Sequence, residues 1–120
     1  MNYLEESEKT ENKDYEAIAE RINAGSIQLL HASIGIGGES GEFLDTVKKH
    51  VFYGSALNKV NIREELGDLM WYIALACRAI GVTIEDICED NIKKLSKRYP
   101  EKFSKECAEN RNVDNELSHF

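Results

Sequence analysis

The chain has 120 residues, a length that fits one compact domain and is too short for two. Its formal net charge of -7 repels polyanions, which argues against binding along the phosphate backbone of DNA or RNA. The sequence has no long apolar run, no leader-like N-terminus and no C-x-x-C spacing among its three cysteines, so we expect a cytoplasmic protein without a membrane span, a disulfide framework or a structural zinc site.

The pattern of apolar residues divides the chain into three parts. Residues 1–13 are polar and acidic and residues 104–120 are similar, so we predict a flexible N-terminal segment and a polar C-terminal tail. Between them, residues 14–103 carry apolar residues at helical spacing, and the single proline of the chain, Pro100, lies near their end. This middle part is therefore predicted to be an all-α domain.

Four helical segments are predicted within this domain, at about residues 14–23, 26–52, 61–80 and 83–99. Residues that typically begin or end helices mark their bounds. The expected initiators are Ser26 as the N-cap of the second segment, Asn61 with Glu64 as a capping box for the third, and Thr83 with Asp86 for the fourth. The expected terminators are Gly54, Gly81 and Pro100.

A glycine-rich stretch, Ile34-Gly35-Ile36-Gly37-Gly38, lies inside the second predicted helix. Each interior glycine costs about 1 kcal/mol of helix stability relative to alanine, so one expectation is a break or kink here. A dinucleotide-binding loop is excluded, because no strand precedes the glycines and no βαβ pattern surrounds them. The other expectation is the close approach of a ligand or a second helix, which side chains would block.

Two acidic pairs, each with i, i+3 spacing, flank the apolar stripes of the second and third predicted helices. Glu39 and Glu42 lie beside the stripe of Leu29, Ile36, Phe43, Val47 and Val51, and Glu65 and Asp68 beside the stripe of Ile62, Leu66, Leu69, Ile73 and Ile80. Tyr72 follows one turn after Asp68. Two neighbouring helices can direct both pairs into one shared space, so we predict a cluster of four carboxylates.

Four carboxylates side by side repel one another, which raises their pKa values and destabilises the fold unless a cation compensates. Oxygen ligands favour Mg²⁺ or Mn²⁺, and no paired histidines or cysteines nearby support zinc. A Mg²⁺ held by carboxylates usually takes its remaining ligands from water and substrate phosphates. Acidic i, i+3 pairs are also common on solvated helix faces, and the spacing alone leaves both interpretations open.

Basic and polar residues on two helices are candidate phosphate contacts. Asn91, Lys94 and Arg98 fall on one strip of the fourth predicted helix, and Lys49 shares a face with Glu42. Arginine binds phosphate as a planar fork and lysine as a point charge. Basic residues near a helix C-terminus also offset the helix macrodipole, which is the alternative interpretation.

Aromatic residues accompany the acidic pairs. His31 lies on a flank similar to that of the first pair, where it is either a contact to a base or ribose or an ordinary histidine at a helix margin. From Leu69 to Cys77 the third helix is apolar almost all round, which predicts a helix buried on several sides with Trp71 in the core. One chain of this size is too small to cover such a helix, so we expect a subunit interface.

Three stretches together resemble the MazG-like nucleotide pyrophosphohydrolases, an all-α superfamily. They are residues 38–45 (GESGEFLD), 64–72 (EELGDLMWY) and 91–100 (NIKKLSKRYP). The resemblance covers roughly residues 26–103 and rests on the order E-x-x-E, E-x-x-D and N-x-x-K-L-x-x-R-Y-P. The chain departs from the family at Gly38, where a glutamate often precedes the first ligand.

The resemblance implies a bundle of four to five helices, completed by assembly into a homodimer or homotetramer. It implies an enzyme that cleaves an NTP or dNTP between the α and β phosphates to a monophosphate and pyrophosphate. Mg²⁺ would be held by Glu39, Glu42, Glu65 and Asp68, and one of these carboxylates, or the metal, would activate the attacking water. Asn91, Lys94 and Arg98 match positions that resemble phosphate or metal-shell contacts.

Two alternatives remain open from the sequence. One is a relative with a narrower substrate, such as a dUTP or dCTP pyrophosphatase or a phosphoribosyl-ATP pyrophosphohydrolase, because no residue here is diagnostic of a base. The other is a helical interaction module that binds metal only for stability. Release of pyrophosphate from a nucleotide separates an enzyme from such a module.

Overall fold

The computed structural model describes residues 1–101 and 105–109. These ranges form six helices, which are α1 (Tyr3–Glu8), α2 (Tyr15–Glu20), α3 (Ala24–Tyr53), α4 (Lys59–Ile80), α5 (Ile84–Arg98) and α6 (Lys105–Glu109). No strand occurs in the described ranges, so the predicted all-α class is confirmed. Apart from α6, the predicted polar tail of residues 104–120 lies outside the described residues.

The N-terminal segment contains one short helix. The side chain of Asn2 caps α1 by accepting hydrogen bonds from the backbone N–H groups of Leu4 and Glu5, at 3.1 and 3.4 Å. Every residue from 1 to 13 is exposed. A helix of six residues gains little stability without packing against a neighbour, so this segment contributes no core.

Two predicted helix starts are wrong by two residues. The N-cap of α3 is Asn23, and Ser26 is its reciprocal partner three residues later, with N···O distances of 2.8 and 3.2 Å. The N-cap of α4 is Asn58, whose side chain accepts from the backbone N–H of Asn61 at 3.0 Å. The predicted capping box of Asn61 with Glu64 is therefore incorrect, because an equally good asparagine cap lies upstream.

Three other predicted signals mark helix bounds as expected, whereas α2 ends at Glu20, three residues before the predicted end of the first segment. Thr83 and Asp86 form a capping box at the start of α5, with distances of 2.9 and 3.0 Å. Gly54 and Gly81 end α3 and α4 with φ values of 73° and 74°, a left-handed conformation that side chains with a Cβ rarely adopt. These three signals confirm the predicted bounds at the end of α3 and at both sides of the α4–α5 turn.

The two long helices α3 and α4 pack against each other as an antiparallel hairpin across the linker 54–58. Near the linker, the amide of Asn61 donates a part-buried hydrogen bond to the Thr46 hydroxyl at 3.2 Å. Farther along, Gly35 on α3 faces the ring of Tyr72 on α4. Gly35 and Thr46 are eleven residues apart, and so are their partners Tyr72 and Asn61, so one register runs along the whole hairpin.

The glycine-rich stretch does not break the helix. The α3 helix is continuous over 30 residues, so the expected break does not occur. A Cβ placed on Gly35 would lie only 2.1 Å from Cδ1 of Tyr72, whereas Gly37 and Gly38 have open space around theirs. The expectation of a closely approaching helix is thus confirmed, and it applies at Gly35.

Few side chains are buried within a single chain. The buried apolar residues of the described part are Ala32, Leu75 and Cys77. Large apolar side chains such as Ile34, Leu44 and Met70 are exposed. Trp71 is 55% exposed, so its predicted core position is wrong for the single chain. The hairpin alone therefore leaves most of its apolar surface uncovered.

No single helix in the described ranges combines the length and apolar character needed to cross a membrane. The helices α4 and α5 meet those criteria only when they are taken together, across a bend of 94°.

Candidate metal centre

The register of the hairpin places the two acidic pairs opposite each other. Glu39 and Glu42 are three residues apart on α3, and Asp68 and Glu65 are three apart on α4, in the reverse order. One carboxylate oxygen from each of Glu39, Glu42 and Glu65 lies within 4.8 Å of the others. Asp68 lines the same cavity as Glu39. All four predicted carboxylates are thus brought to one region of the hairpin.

Two of these carboxylates have an oxygen that no described residue satisfies with a hydrogen bond. Oε2 of Glu39 and Oε2 of Glu65 are buried and have no hydrogen-bond partner among the described residues. Burying an unpaired polar atom costs free energy, and the cost is larger for a charged group. A divalent cation bound by oxygen ligands would supply the missing partner to both atoms. The donor set therefore fits Mg²⁺ or Mn²⁺.

The charge on Glu65 is unfavourable in the metal-free protein. Its pKa is raised from 4.5 to about 7, first by desolvation on burial, then by hydrogen bonding with Glu39 and Glu42, and then by repulsion from their charges. A carboxyl group with this pKa is partly protonated at neutral pH. A cation would favour its ionised form, because opposite charge lowers the pKa of a carboxyl group.

A cavity of about 370 Å³ opens beside the carboxylates. Of the described residues, Glu39, Asp68, Trp71 and Tyr72 line it. The rings of Trp71 and Tyr72 meet edge to face with centroids 5.1 Å apart, and His31 meets both rings at 6.2 and 5.7 Å. The cavity therefore has an acidic end and an aromatic end, and His31 and Tyr72 lie together at the aromatic end.

A protein family model matches the part of the chain that carries this site. The model of the MazG nucleotide pyrophosphohydrolase domain matches residues 30–103, more than half of the chain. The chain belongs to the MazG family. The Gene 37 protein of Mycobacterium phage L5 is 31% identical to it over 74 residues, which cover 58% of this chain and 65% of that relative. The match thus spans just under two thirds of the relative's length. No solved structure matches the chain.

The MazG match contains the whole candidate site and leaves out the first helices. It begins within α3 and passes through α4 and α5, so α1 and α2 precede it. It includes His31 and the four carboxylates, and it also includes the predicted residues of α5. The resemblance inferred from three stretches of sequence is therefore confirmed at the level of the family.

The predicted basic contacts of this MazG domain lie outside the cavity. Lys49 forms an ion pair with Asp45 at 2.9 Å, and Lys48 pairs with the same carboxylate at 3.2 Å. Hydrogen bonds from these lysines hold the pKa of Asp45 below its usual value, and Asp45 raises the pKa of Lys49. Both lysines are exposed.

The polar residues predicted as phosphate contacts on α5 lie apart from the cavity. Asn91 is exposed, and Lys94 and Arg98 are half-buried on a helix that packs against α4. The Arg98 guanidinium lies 6.0 Å from the centre of the Tyr99 ring. None of the three lines the cavity between the described parts of α3 and α4. The structure therefore brings together the carboxylates, His31 and Tyr72, and leaves the α5 strip on a separate helix.

Two residues of the MazG site were not predicted from the sequence. Trp71 lines the cavity, although its apolar surroundings in the sequence suggested the core. Gly35 lies beneath the Tyr72 ring. Helical spacing from the acidic residues could have identified both, because Trp71 follows Asp68 by three residues and Gly35 precedes Glu39 by four.

Proposed function

We propose that this MazG protein is a Mg²⁺-dependent nucleoside triphosphate pyrophosphohydrolase that cleaves an NTP or dNTP to the monophosphate and pyrophosphate. The observation that carries the proposal is the meeting of Glu39, Glu42 and Glu65 within 4.8 Å, with two buried oxygens that lack partners. The family match supports a nucleotide as substrate. Oxygen ligation and the aromatic cavity beside it support a metal-bound phosphate chain and an adjacent base.

Glu39, Glu42, Glu65 and Asp68 would hold the cation, with Mn²⁺ able to replace Mg²⁺. Bound there, the metal would supply positive charge that offsets the charge on the phosphate oxygens. The carboxylates themselves fix the position of that charge on two packed helices. One of them would accept the proton of the water as the water oxygen bonds to the α-phosphorus, while the bond from that phosphorus to the bridging oxygen breaks and pyrophosphate leaves.

Cationic side chains complete the phosphate site in this proposal. Asn91, Lys94 and Arg98 would reach the phosphates from α5, and Lys49 from α3. A protein with a net charge of -7 needs such local cations to bind a triphosphate. Lys49 would have to exchange its ion pair with Asp45 for a phosphate, which is inexpensive because both side chains are exposed to solvent.

The aromatic end of the cavity would receive the base and sugar. Tyr72 lines the cavity and His31 contacts its ring at 5.7 Å, so both can contact the nucleoside once the phosphates are held at the acidic end. A flat aromatic surface stacks with any base. Stacking by itself therefore does not select a base, and the activity panel described below separates a broad from a narrow base preference.

We also propose that the protein works as a homodimer or homotetramer. An exposed apolar stripe on α3 consists of Ile27, Leu30, Ile34 and, about three turns farther along, Leu44. Ile34 is 65% exposed and Leu44 is 69% exposed. Exposed apolar patches on a protein surface mark interaction sites, and a second copy of the hairpin would cover this one. No nucleic-acid partner is proposed, since the net charge is negative.

Turnover tests the proposed activity. Purified protein is incubated with a panel of NTPs and dNTPs and Mg²⁺, and pyrophosphate and monophosphate are quantified. We expect equal amounts of both products, no orthophosphate unless a pyrophosphatase is added, and no reaction with a chelator. Activity with one base alone would identify a narrower pyrophosphatase. No release from any nucleotide would contradict the proposal and favour a metal-stabilised interaction module.

A matched pair of variants ties the activity to the site. Glu65→Gln keeps the size of the side chain and removes a metal ligand, so pyrophosphate release is expected to be lost. Glu64→Gln changes the neighbouring, exposed residue and is expected to leave the rate unchanged. Equal rates in the two variants would contradict the assignment of Glu65.

A further inference from the structure

The aromatic end of the cavity depends on a position that carries no side chain. His31, Gly35 and Glu39 follow one another at i, i+4 spacing and so lie on one face of α3. Asp68 and Tyr72 have the same spacing on α4 and face them. The Tyr72 ring lies directly over Gly35 and lines the cavity together with Glu39 and Asp68. Gly35 is therefore at the junction of the two ends of the cavity.

The fit at Gly35 excludes any larger residue without rearrangement. A Cβ built there would lie 2.1, 2.2 and 2.4 Å from Cδ1, Cε1 and Cγ of Tyr72, which are atoms of a rigid ring. Carbon atoms in contact are normally about 3.5–4.0 Å apart. Gly37 and Gly41 on the same helix have nothing within 4 Å of such a Cβ among the described residues. The steric requirement is thus specific to one glycine of α3.

The Tyr72 ring in turn contacts the rest of the aromatic group. It meets Trp71 at 5.1 Å and His31 at 5.7 Å, both edge to face. Trp71 is 55% exposed and lines the cavity, so its indole can be covered by a flat ligand. A shift of the Tyr72 ring by the distance that a Cβ requires would change both contacts and the shape of the cavity wall.

We propose that Gly35 is a positioning residue, whose bare backbone lets Tyr72 pack on α3 and so keeps Tyr72 and Trp71 as the wall on which the nucleobase stacks. The stacking part of this inference rests on the proposed function, because a base is present only if the substrate is a nucleotide. The positioning part concerns the protein alone.

The test compares two substitutions that are equivalent for the helix. Alanine is a better helix former than glycine, so both Gly35→Ala and Gly37→Ala should favour an isolated α3. They differ in that only the first puts a methyl group against Tyr72. The mass of each variant in solution is measured as well, so that a change of assembly is seen separately from a change of the cavity.

The first readout needs no nucleotide. Trp71 is the only tryptophan of the chain, so its fluorescence reports the aromatic group directly. We expect Gly35→Ala to shift the emission and the near-ultraviolet circular dichroism, and Gly37→Ala to leave both unchanged. Identical spectra for Gly35→Ala and the wild type would overturn the proposal.

The second readout is kinetic. Loss of one aromatic stacking contact weakens base binding by about tenfold or more, so Gly35→Ala should raise KM by about that factor with a smaller effect on kcat. In a Tyr72→Ala background the ring is absent, and adding Gly35→Ala should change KM no further. The double variant also removes the clash if Gly35→Ala alone folds poorly.

The outcomes distinguish a failure of the positioning role of Gly35 from a failure of the proposed function. An additional rise of KM in the double variant, or an unchanged KM in Gly35→Ala, would show that Gly35 does not act through Tyr72. If the wild type releases no pyrophosphate from any nucleotide, the proposed function fails, while the emission comparison still decides whether Gly35 positions Tyr72.

Discussion

The carboxylates of Glu42 and Glu65 approach within 4.8 Å of each other, although they belong to different helices. Like charges at this distance repel, and repulsion from Glu42 is one of the causes that raise the pKa of Glu65. The metal-free site is therefore a destabilising element inside an otherwise well-capped hairpin. Its properties should depend strongly on cations, on pH and on the charge of each residue.

Metal affinity should depend on pH through Glu65. The pKa of this residue is about 7 without metal, and Mg²⁺ binds the ionised form, so binding releases a proton at lower pH. Below about pH 7, each unit should weaken Mg²⁺ binding by about tenfold, with little further change above it. Isothermal titration calorimetry at several pH values measures this. A flat profile would contradict it.

The folding stability of the metal-free protein should also depend on pH through Glu65. An acid whose pKa is raised on folding stabilises the fold only while it is protonated. The contribution of Glu65 should thus be complete below its ordinary pKa of 4.5 and be lost as the pH rises through about 7. Thermal unfolding with a chelator measures it. Glu65→Gln is the control, since it cannot ionise.

Neutralising a metal ligand should separate activity from stability. Glu42→Gln and Asp68→Asn each remove one negative charge and one ligand, so turnover should fall by at least about a hundredfold. The fold of the metal-free protein should be intact or slightly more stable, because repulsion is reduced. Pyrophosphate release and thermal unfolding, measured on the same preparations, give both quantities. Full activity in either variant would remove that residue from the site.

A contact to phosphate should affect substrate binding more than the chemical step. If Lys94 binds the phosphate equally in the ground state and the transition state, Lys94→Ala should raise KM severalfold and leave kcat nearly unchanged. Lys93→Ala, at the exposed neighbouring position, is the matched control. Steady-state kinetics with the best substrate of the panel measure both. Identical KM values for the two variants would show that Lys94 does not contact the phosphate.

The exposed stripe of α3 should be covered in solution. Light scattering after size-exclusion chromatography should give the mass of two or four chains. Ile34→Glu puts a charge in the middle of the stripe and should favour the monomer, because burying an unpaired charge is costly. Leu4→Glu, on the exposed helix α1, should not change the mass. A monomeric wild type would contradict the proposed assembly.

Much of the fold was predictable, because its signals are local. Gly54 and Gly81 need a left-handed backbone, and Thr83 with Asp86 forms a box of fixed spacing, so each can be recognised without tertiary information. The starts of α3 and α4 were wrong for a related reason. Asn23 and Ser26 are both good caps three residues apart, and a local pattern does not decide which one lies outside the helix.

The candidate site was predictable only as far as it lies along single helices. The i, i+3 spacing identified Glu39 with Glu42 and Glu65 with Asp68. It did not identify Gly35 among several glycines, because the reason lies in the Tyr72 ring on another helix. The exposure of Trp71 was missed likewise, since the sequence shows that a residue is apolar and not what lies opposite it.

The hydrogen bond between Asn61 and Thr46 also bears on the carboxylate cluster, because it opposes sliding of α3 against α4. If the two helices slipped past each other by one turn, about 5.4 Å, Glu42 would no longer face Glu65 and the ligand set would come apart. A part-buried amide and hydroxyl near the linker oppose such a slip, because each would lose its partner. Neither residue belongs to the cluster, yet by opposing a slip both would contribute to the affinity of the proposed cation site.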